Sequence, residues 1–200
     1  MEEPEYQVTR REPGFEIRRY AARMVAETVV SDRHPKAATA GFRRLANYLL
    51  GENEGRRTGS ADEIGKPMTL LMGAPYVQIS ADNGQLLQFP LPRRLQQGSV
   101  PVPRDEKVLI RALRPRRVAV IRYTGVWTEP RFSLHLGQLQ NALRASGLAW
   151  TGAPEWARYD PPWKPWFVRR NEIWLQLASE SDADSSAATA ASSDAAPADD

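Results

Sequence analysis

The chain has no cysteine and only two histidines, His34 and His135, in 200 residues. Without thiols there are no disulfides, no thiolate metal sites and no cysteine nucleophile, and the composition suits a reducing cytoplasm. Two imidazoles in different halves of the chain exclude a metal centre built on several histidines of one molecule. No apolar run approaches the ~18 residues of a membrane-spanning helix. The acidic opening Met-Glu-Glu-Pro-Glu lacks the apolar core of a secretory signal. A phosphate-cradling glycine loop, a His-Glu-x-x-His pair and a nucleophile elbow are also missing. No recognisable catalytic motif remains, and a cytoplasmic setting is expected.

Basic charge is absent from residues 179–200, which carry six acids among Ala and Ser and hold no aromatic residue. Such a tail cannot bury enough apolar surface to offset its ordering entropy, so disorder is expected there. The remainder, 1–178, then holds 27 basic and 18 acidic residues, a net charge of +9. With 42% hydrophobic residues overall it is long enough for one domain with a real core. Its arginines, notably Arg114, Arg116, Arg117 and Arg122, are spread along strand-like segments rather than gathered in one module. That spread, together with the acidic tail, argues against a nucleic-acid partner. The oligomeric state is not legible.

Aromatic residues are few but concentrated. The stretch from Tyr159 to Leu177 contains Trp163, Trp166, Phe167 and Trp174, interleaved with Lys164, Arg169 and Arg170. Pro161, Pro162 and Pro165 each fix φ and remove a donor, which excludes helix. Ile173, Leu175 and Leu177 then alternate with polar or amphipathic neighbours, the period of a half-buried strand. A rigid aromatic and cationic loop feeding a strand suits a planar ligand with acidic edges. It is equally what a core aromatic cluster with snorkelling arginines looks like.

The spacing of apolar residues predicts one unit occurring twice. Strand-like segments over 15–30 lead to a helix opening at Pro35, with apolar residues Ala38, Phe42, Leu45 and Leu49, and Gly51 beyond it. Strand-like segments over 108–123 lead to a helix opening at Pro130, with Phe132, Leu136, Leu139 and Leu143, and Gly147 beyond it. The two stripes share a 4-3-4 spacing and are offset by 94 residues. Further strand material is expected at 68–72, 76–79, 86–89, 156–159 and 172–177, and irregular loops at 52–65, 90–103 and 150–154. These elements predict an α+β domain with a mainly antiparallel, strongly curved sheet carrying two helices.

Tyr159-Asp-Pro-Pro followed by Arg169-Arg-Asn-Glu-Ile173 resembles the closing signature of the SOUL (haem-binding protein) family. Phe15-Glu-Ile-Arg-Arg-Tyr20, Val25-Ala-Glu-Thr28, Gly41-Phe42, Tyr48-Leu-Leu-Gly51, Lys66-Pro-Met-Thr69 and Val118-Ala-Val-Ile-Arg-Tyr-Thr-Gly125 match in order. The resemblance implies a distorted β-barrel of two βαβ-like halves with two flanking helices. It also implies non-catalytic binding of haem b or another tetrapyrrole in an apolar groove beside the first helix, as a carrier or buffer. Carried across, the groove uses Phe42, Arg43, Leu45, Ala46 and Leu49 from the helix and Trp163, Lys164, Trp166, Arg169 and Arg170 from the closing loop. The basic members would pair with propionates.

Where some relatives place an axial histidine, between the Arg and Tyr of the first motif, this chain has Arg19, which does not ligate iron. His135, at the margin of the second helix stripe, is the remaining candidate ligand. Phe42, Leu45 and Leu49 also form the stripe that any amphipathic helix turns to its sheet, so core packing competes for them. A second reading is a small-molecule sensor or hydrolase-like enzyme on the same barrel, using a buried glutamate, Glu172 or Glu27. For Glu172 a structural pairing with Arg169 or Arg170 is the simpler expectation.

Overall fold

Eleven strands and two helices build the fold, each helix on a stripe of helical period. In chain order they are β1 (Tyr6–Glu12), β2 (Phe15–Tyr20), β3 (Arg23–Val30), α1 (Pro35–Leu49), β4 (Asn53–Glu54), β5 (Tyr76–Ala81) and β6 (Gly84–Pro90). There follow β7 (Val102–Pro103), β8 (Leu109–Leu113), β9 (Arg116–Thr124), α2 (Glu129–Ala145), β10 (Trp150–Arg158) and β11 (Arg170–Leu177). The computed structural model describes residues 2–31, 35–56, 65–81, 84–95, 98–160 and 163–178. The expectations for His34, Pro161, Pro162 and the tail 179–200 lie outside those residues.

Nine strands form one antiparallel half-barrel sheet in the order β1-β2-β9-β11-β10-β5-β6-β3-β8, and β4 pairs with β7 apart from it. Exchange of β2, β3, β5 and β6 with β8, β9, β10 and β11 leaves the order from β2 to β8 unchanged when it is read backwards. The centre of that symmetry is the β5–β10 pair, in which Tyr76 faces Arg158 and Val77 faces Ala157. A common origin of the halves is an inference from this order and the shared helical spacing.

Both helices lie on the same face. α1 packs on β3 and β6, and α2 on β9 and β11. Leu45, Tyr48 and Leu49 meet Ala26, Val30, Leu87 and Phe89 under α1. Phe132, Leu139 and Leu143 meet Ile17, Ala119, Ile121, Ile173 and Leu175 under α2. Burial of each Val, Leu, Ile or Phe among them stabilises the fold by roughly 1.5–3 kcal/mol. Residues one position out of phase, Tyr20, Val77, Val118, Val120, Ala157 and Trp174, cluster on the far face. Gly41 sets the approach of α1: an added Cβ would overlap Leu87 Cδ1 and lie 2.8 Å from Val30 Cγ1.

Local expectations change at several places, beginning with Asn53–Glu54 and Val102–Pro103, which pair as β4 and β7 inside segments expected to be irregular. Residues 68–72 form no strand, because their backbone is satisfied elsewhere. The Leu70 N–H donates to the Leu49 carbonyl at 2.7 Å, and the Asn53 side chain both receives the Met68 N–H and donates to its carbonyl. Residues 150–154 belong to β10 instead of a turn; a register shift between Thr151 and Glu155, with Gly152 at φ +73°, breaks the pattern that would have revealed the strand. β1 was hidden because it is a mostly exposed edge strand rich in charge. The aromatic loop also contains one 3-10 turn, Trp166–Val168, which starts immediately after Pro165, where a missing N–H costs nothing.

Candidate functional site

On the helix face the β5–β10 pair runs along the seam between α1 and α2. The phase of β10 that turns Trp156 under α2 also turns Arg158 into this seam. The Arg158 guanidinium lies 3.2 Å from the Trp127 ring centroid and 5.8 Å from that of Tyr76. Its Nη2 donates to Gln78 Oε1 at 2.7 Å. Its Nε is buried without a partner, and so is the indole Nε1 of Trp127. Among the described residues no carboxylate pairs with this cation. Burial pulls its pKa down to about 10, with only the Tyr76 and Tyr123 hydroxyls opposing, so it remains charged at neutral pH.

Aromatic rings continue in both directions. Phe42 meets Tyr76 edge-on at 5.3 Å and Phe89 at 5.4 Å. Trp127 meets Trp156 at 4.8 Å, and Tyr123 stacks on His135 at 4.2 Å. An uncompensated cation between aromatic walls is the chemistry of a site for a flat anion.

The residues expected from the sequence divide by position. Leu45 and Leu49 are 0% exposed and lie in the core beneath α1. Phe42 is 39% exposed, Arg43 is exposed and Ala46 half-buried, so these three reach the surface of α1. Trp163 is 84% exposed, and Trp166 and Phe167 are more than half exposed. Asp160 pins their loop by accepting from Lys164 Nζ and the Arg170 N–H, each at 2.6 Å. Arg169 Nε donates to the Lys164 carbonyl, and Arg170 pairs with Glu172 and Glu3. The Gly125 N–H donates to the Arg169 carbonyl at 3.2 Å, which sets the aromatic loop beside the segment bearing Trp127. His135 Nδ1 is 2.9 Å from Gln138 Oε1. Among the described residues no group of three or more His, Cys, Asp or Glu is placed to hold a metal ion.

Arg158, Tyr76 and Trp127 were missed as site residues. The usable signal was the strand phase: once Trp156 faces a helix, so must Arg158.

Glu172 is on the far face and is fully engaged. Its Oε1 accepts from Arg18 Nη2, Arg170 Nε and Arg170 Nη2 at 2.8–3.1 Å. Its Oε2 accepts from Arg18 Nη1, the Tyr159 hydroxyl and Trp174 Nε1 at 2.8–2.9 Å. Burial alone would raise its pKa, but the bonds and charge of Arg18, then the charge of Arg170, hold it below the ordinary carboxylate value. It stays ionised and has no spare lone pair for acid–base work. Glu27 accepts from Gln88 and Arg111.

The sequence profile of the SOUL heme-binding protein family matches residues 1–176. Heme-binding protein 1 of Mus musculus is 30% identical over 123 residues, 58% of this chain and 64% of that protein. Heme-binding protein 1 of Bos taurus is 27% identical over 127 residues, 61% of this chain and 65% of that protein. The matches therefore span just under two thirds of the curated relatives. Among solved structures, the C-terminal domain of EcmrR superposes with a TM-score of 0.59 at 11% identity, covering 86% of this chain and 98% of that one. A hydrolase from Listeria innocua superposes at 0.58 with 9% identity, covering 85% and 94%. At such identities the superpositions establish the fold alone. Among the described residues no helix is long and apolar enough to cross a membrane.

Proposed function

The chain belongs to the SOUL heme-binding protein family, and on that premise we propose that it binds haem b or a related tetrapyrrole at the seam between α1 and α2, without catalysing a reaction on it. The observation that carries this reading is the buried, carboxylate-free guanidinium of Arg158 between Trp127 and Tyr76. A tetrapyrrole is a flat apolar disc with carboxylates on one edge. Its faces suit Phe42, Tyr76 and Trp127, and a carboxylate would satisfy the donor that Arg158 now leaves idle.

Arg43, at the surface of α1, is a second propionate partner in this reading, and the small side chain of Ala46 borders the disc. Leu45 and Leu49 act as the floor under Phe42 and do not touch the ligand. Trp163 and Trp166 close over the site from the neighbouring loop, at present exposing apolar rings to water. Lys164 and Arg170 already neutralise Asp160 and Glu172, so they contribute less than the sequence suggested. The iron needs no protein ligand. His135 Nδ1 is engaged with Gln138 on α2, and Arg19, which does not ligate iron, is exposed.

Haem titration followed by absorbance tests the reading. Wild type should give a saturable Soret change. Arg158→Met should weaken binding at least tenfold, as expected when a charge-assisted bond worth about 1.5–3 kcal/mol is lost. A Trp163→Ala/Trp166→Ala variant should also bind more weakly, and His135→Ala should bind like wild type. No saturable change in wild type up to tens of micromolar, or full affinity in Arg158→Met, refutes the proposal.

A further inference from the structure

We propose that the end of the sheet beneath the segment 2–5 carries a second binding site, for a small amphiphilic carboxylate whose acid group pairs with Arg23. This goes beyond the tetrapyrrole reading and does not depend on it, since the two sites share no lining residue.

At the end of the sheet where β3 meets β6, a cavity of about 340 Å³ lies beneath the segment 2–5, within the ~300–1,000 Å³ range of small-molecule sites. Its apolar wall includes Ala22, Met24, Leu91, Leu95 and Leu113. Arg23 lines it, and a narrower void continues past Arg23 towards Val77, Gln88 and Trp174. Arg23 Nη1 is buried without a partner. The nearest charged pair gives it no relief: Arg116 binds the Glu155 carboxylate with both terminal nitrogens, one of them at 2.7 Å. Tyr20 and Trp174 offer ring faces at 4.9 and 6.0 Å. Burial, then repulsion from Arg116, lowers the Arg23 pKa to about 10, which still leaves a cation at neutral pH.

The acids bordering the cavity are committed elsewhere. Glu2 accepts from the Arg93 N–H at 3.0 Å and lies 3.5 Å from Arg93 Nε. Glu5 also pairs with Arg93, and Glu3 pairs with Arg170 at 3.0 Å. These contacts, with the Ala74 N–H donating to the Glu2 carbonyl at 2.8 Å, hold residues 2–5 across the opening. The chamber is mainly apolar, and Arg23 on its wall is a cation whose Nη1, buried behind the cavity surface, has no partner. A carboxylate with a short apolar tail completes both, whereas an ammonium is repelled and a neutral head leaves the charge uncompensated. Ion pairs at the surface are weak and salt-screened, so the segment acts as a cover that can lift.

The test is calorimetric titration with decanoate, decanol and decylammonium on the whole chain. Decanoate should bind saturably, decanol at least tenfold more weakly, and decylammonium not at all. Arg23→Met should weaken decanoate at least tenfold while leaving the haem titration unchanged. Ala22→Trp, a surface change that fills the mouth, should abolish decanoate binding even if Arg23→Met fails to fold. Glu2→Gln/Glu5→Gln should speed decanoate exchange by loosening the cover. Equal binding of decanoate and decanol, or full decanoate affinity in Ala22→Trp, overturns the proposal. So does competitive displacement of decanoate by protoporphyrin, which would mean one shared site. Failure of the tetrapyrrole reading looks different: no Soret change, with decanoate binding intact.

Discussion

Replacing Glu172 by glutamine probes the densest polar knot in the molecule. Glu172 and Arg18 have side chains 0% and 3% exposed and are joined at 2.8 Å. At an effective dielectric constant of 20 a pair at that distance attracts by about 6 kcal/mol, against a desolvation cost of several kcal/mol for each ion. The intact pair therefore contributes little net stability. Losing one partner is different, because Arg18 stays buried with its charge. Such losses cost about 3–5 kcal/mol. Arg18 keeps Glu16 at 2.5 Å and Arg170 keeps Glu3, so the lower end, about 3 kcal/mol, is expected. With a urea m-value near 2 kcal/mol/M the midpoint should fall by about 1.5 M at unchanged slope.

The double change Arg18→Met/Glu172→Leu, which removes both charges, should cost less than Glu172→Gln alone. The sign with pH is also fixed. A carboxylate held below its ordinary value of 4.5 stabilises the fold above that pH, and the contribution is lost as pH falls through the depressed folded value. Glu172→Gln should therefore flatten the acid limb of the stability curve. A cost below about 1 kcal/mol, or a double variant less stable than Glu172→Gln, refutes the reasoning.

Asp160→Asn should loosen the aromatic loop, because the carboxylate is held below its ordinary pKa against desolvation by the Arg170 N–H and Lys164; faster hydrogen exchange of the Arg170 amide checks this, at a stability cost of about 1.5–3 kcal/mol. Gly41→Ala should destabilise by roughly 1–3 kcal/mol despite alanine's better helix propensity, since the new methyl meets Leu87 and Val30; thermal unfolding decides. Trp163→Ala/Trp166→Ala should leave stability within about 0.5 kcal/mol of wild type, as both rings are exposed, so weaker haem binding in that variant cannot be blamed on unfolding.

The helices and the strands under them were legible because their burial is periodic: Leu45 and Leu49, or Leu139 and Leu143, recur at helical spacing and are fully buried. The Glu172–Arg170 pairing was also legible, from adjacency along one strand, but Arg18 lies 154 residues away and only the β2–β9–β11 order brings it in. Arg158 escaped for the same reason. One arginine among 27 basic residues gives no sign of being buried until its strand has a phase and a neighbour. Segment 68–72 misled in the other direction, since its apolar residues are buried while its backbone bonds go to Asn53 and the end of α1.

The place of β11 has a consequence for synthesis. It is the last strand along the described chain, yet it sits between β9 and β10, joining β1-β2-β9 to β10-β5-β6-β3-β8. Until Arg170–Leu177 has left the ribosome, both groups present an unpaired edge, and Ile17, Ala119 and Ile121 lack the Ile173 and Leu175 that complete their core. Translation at about 5–20 residues per second thus carries most of the domain through seconds in which its two open edges can pair with other chains. The closing motif that binds the loop to the fold is also the keystone whose arrival ends that exposure.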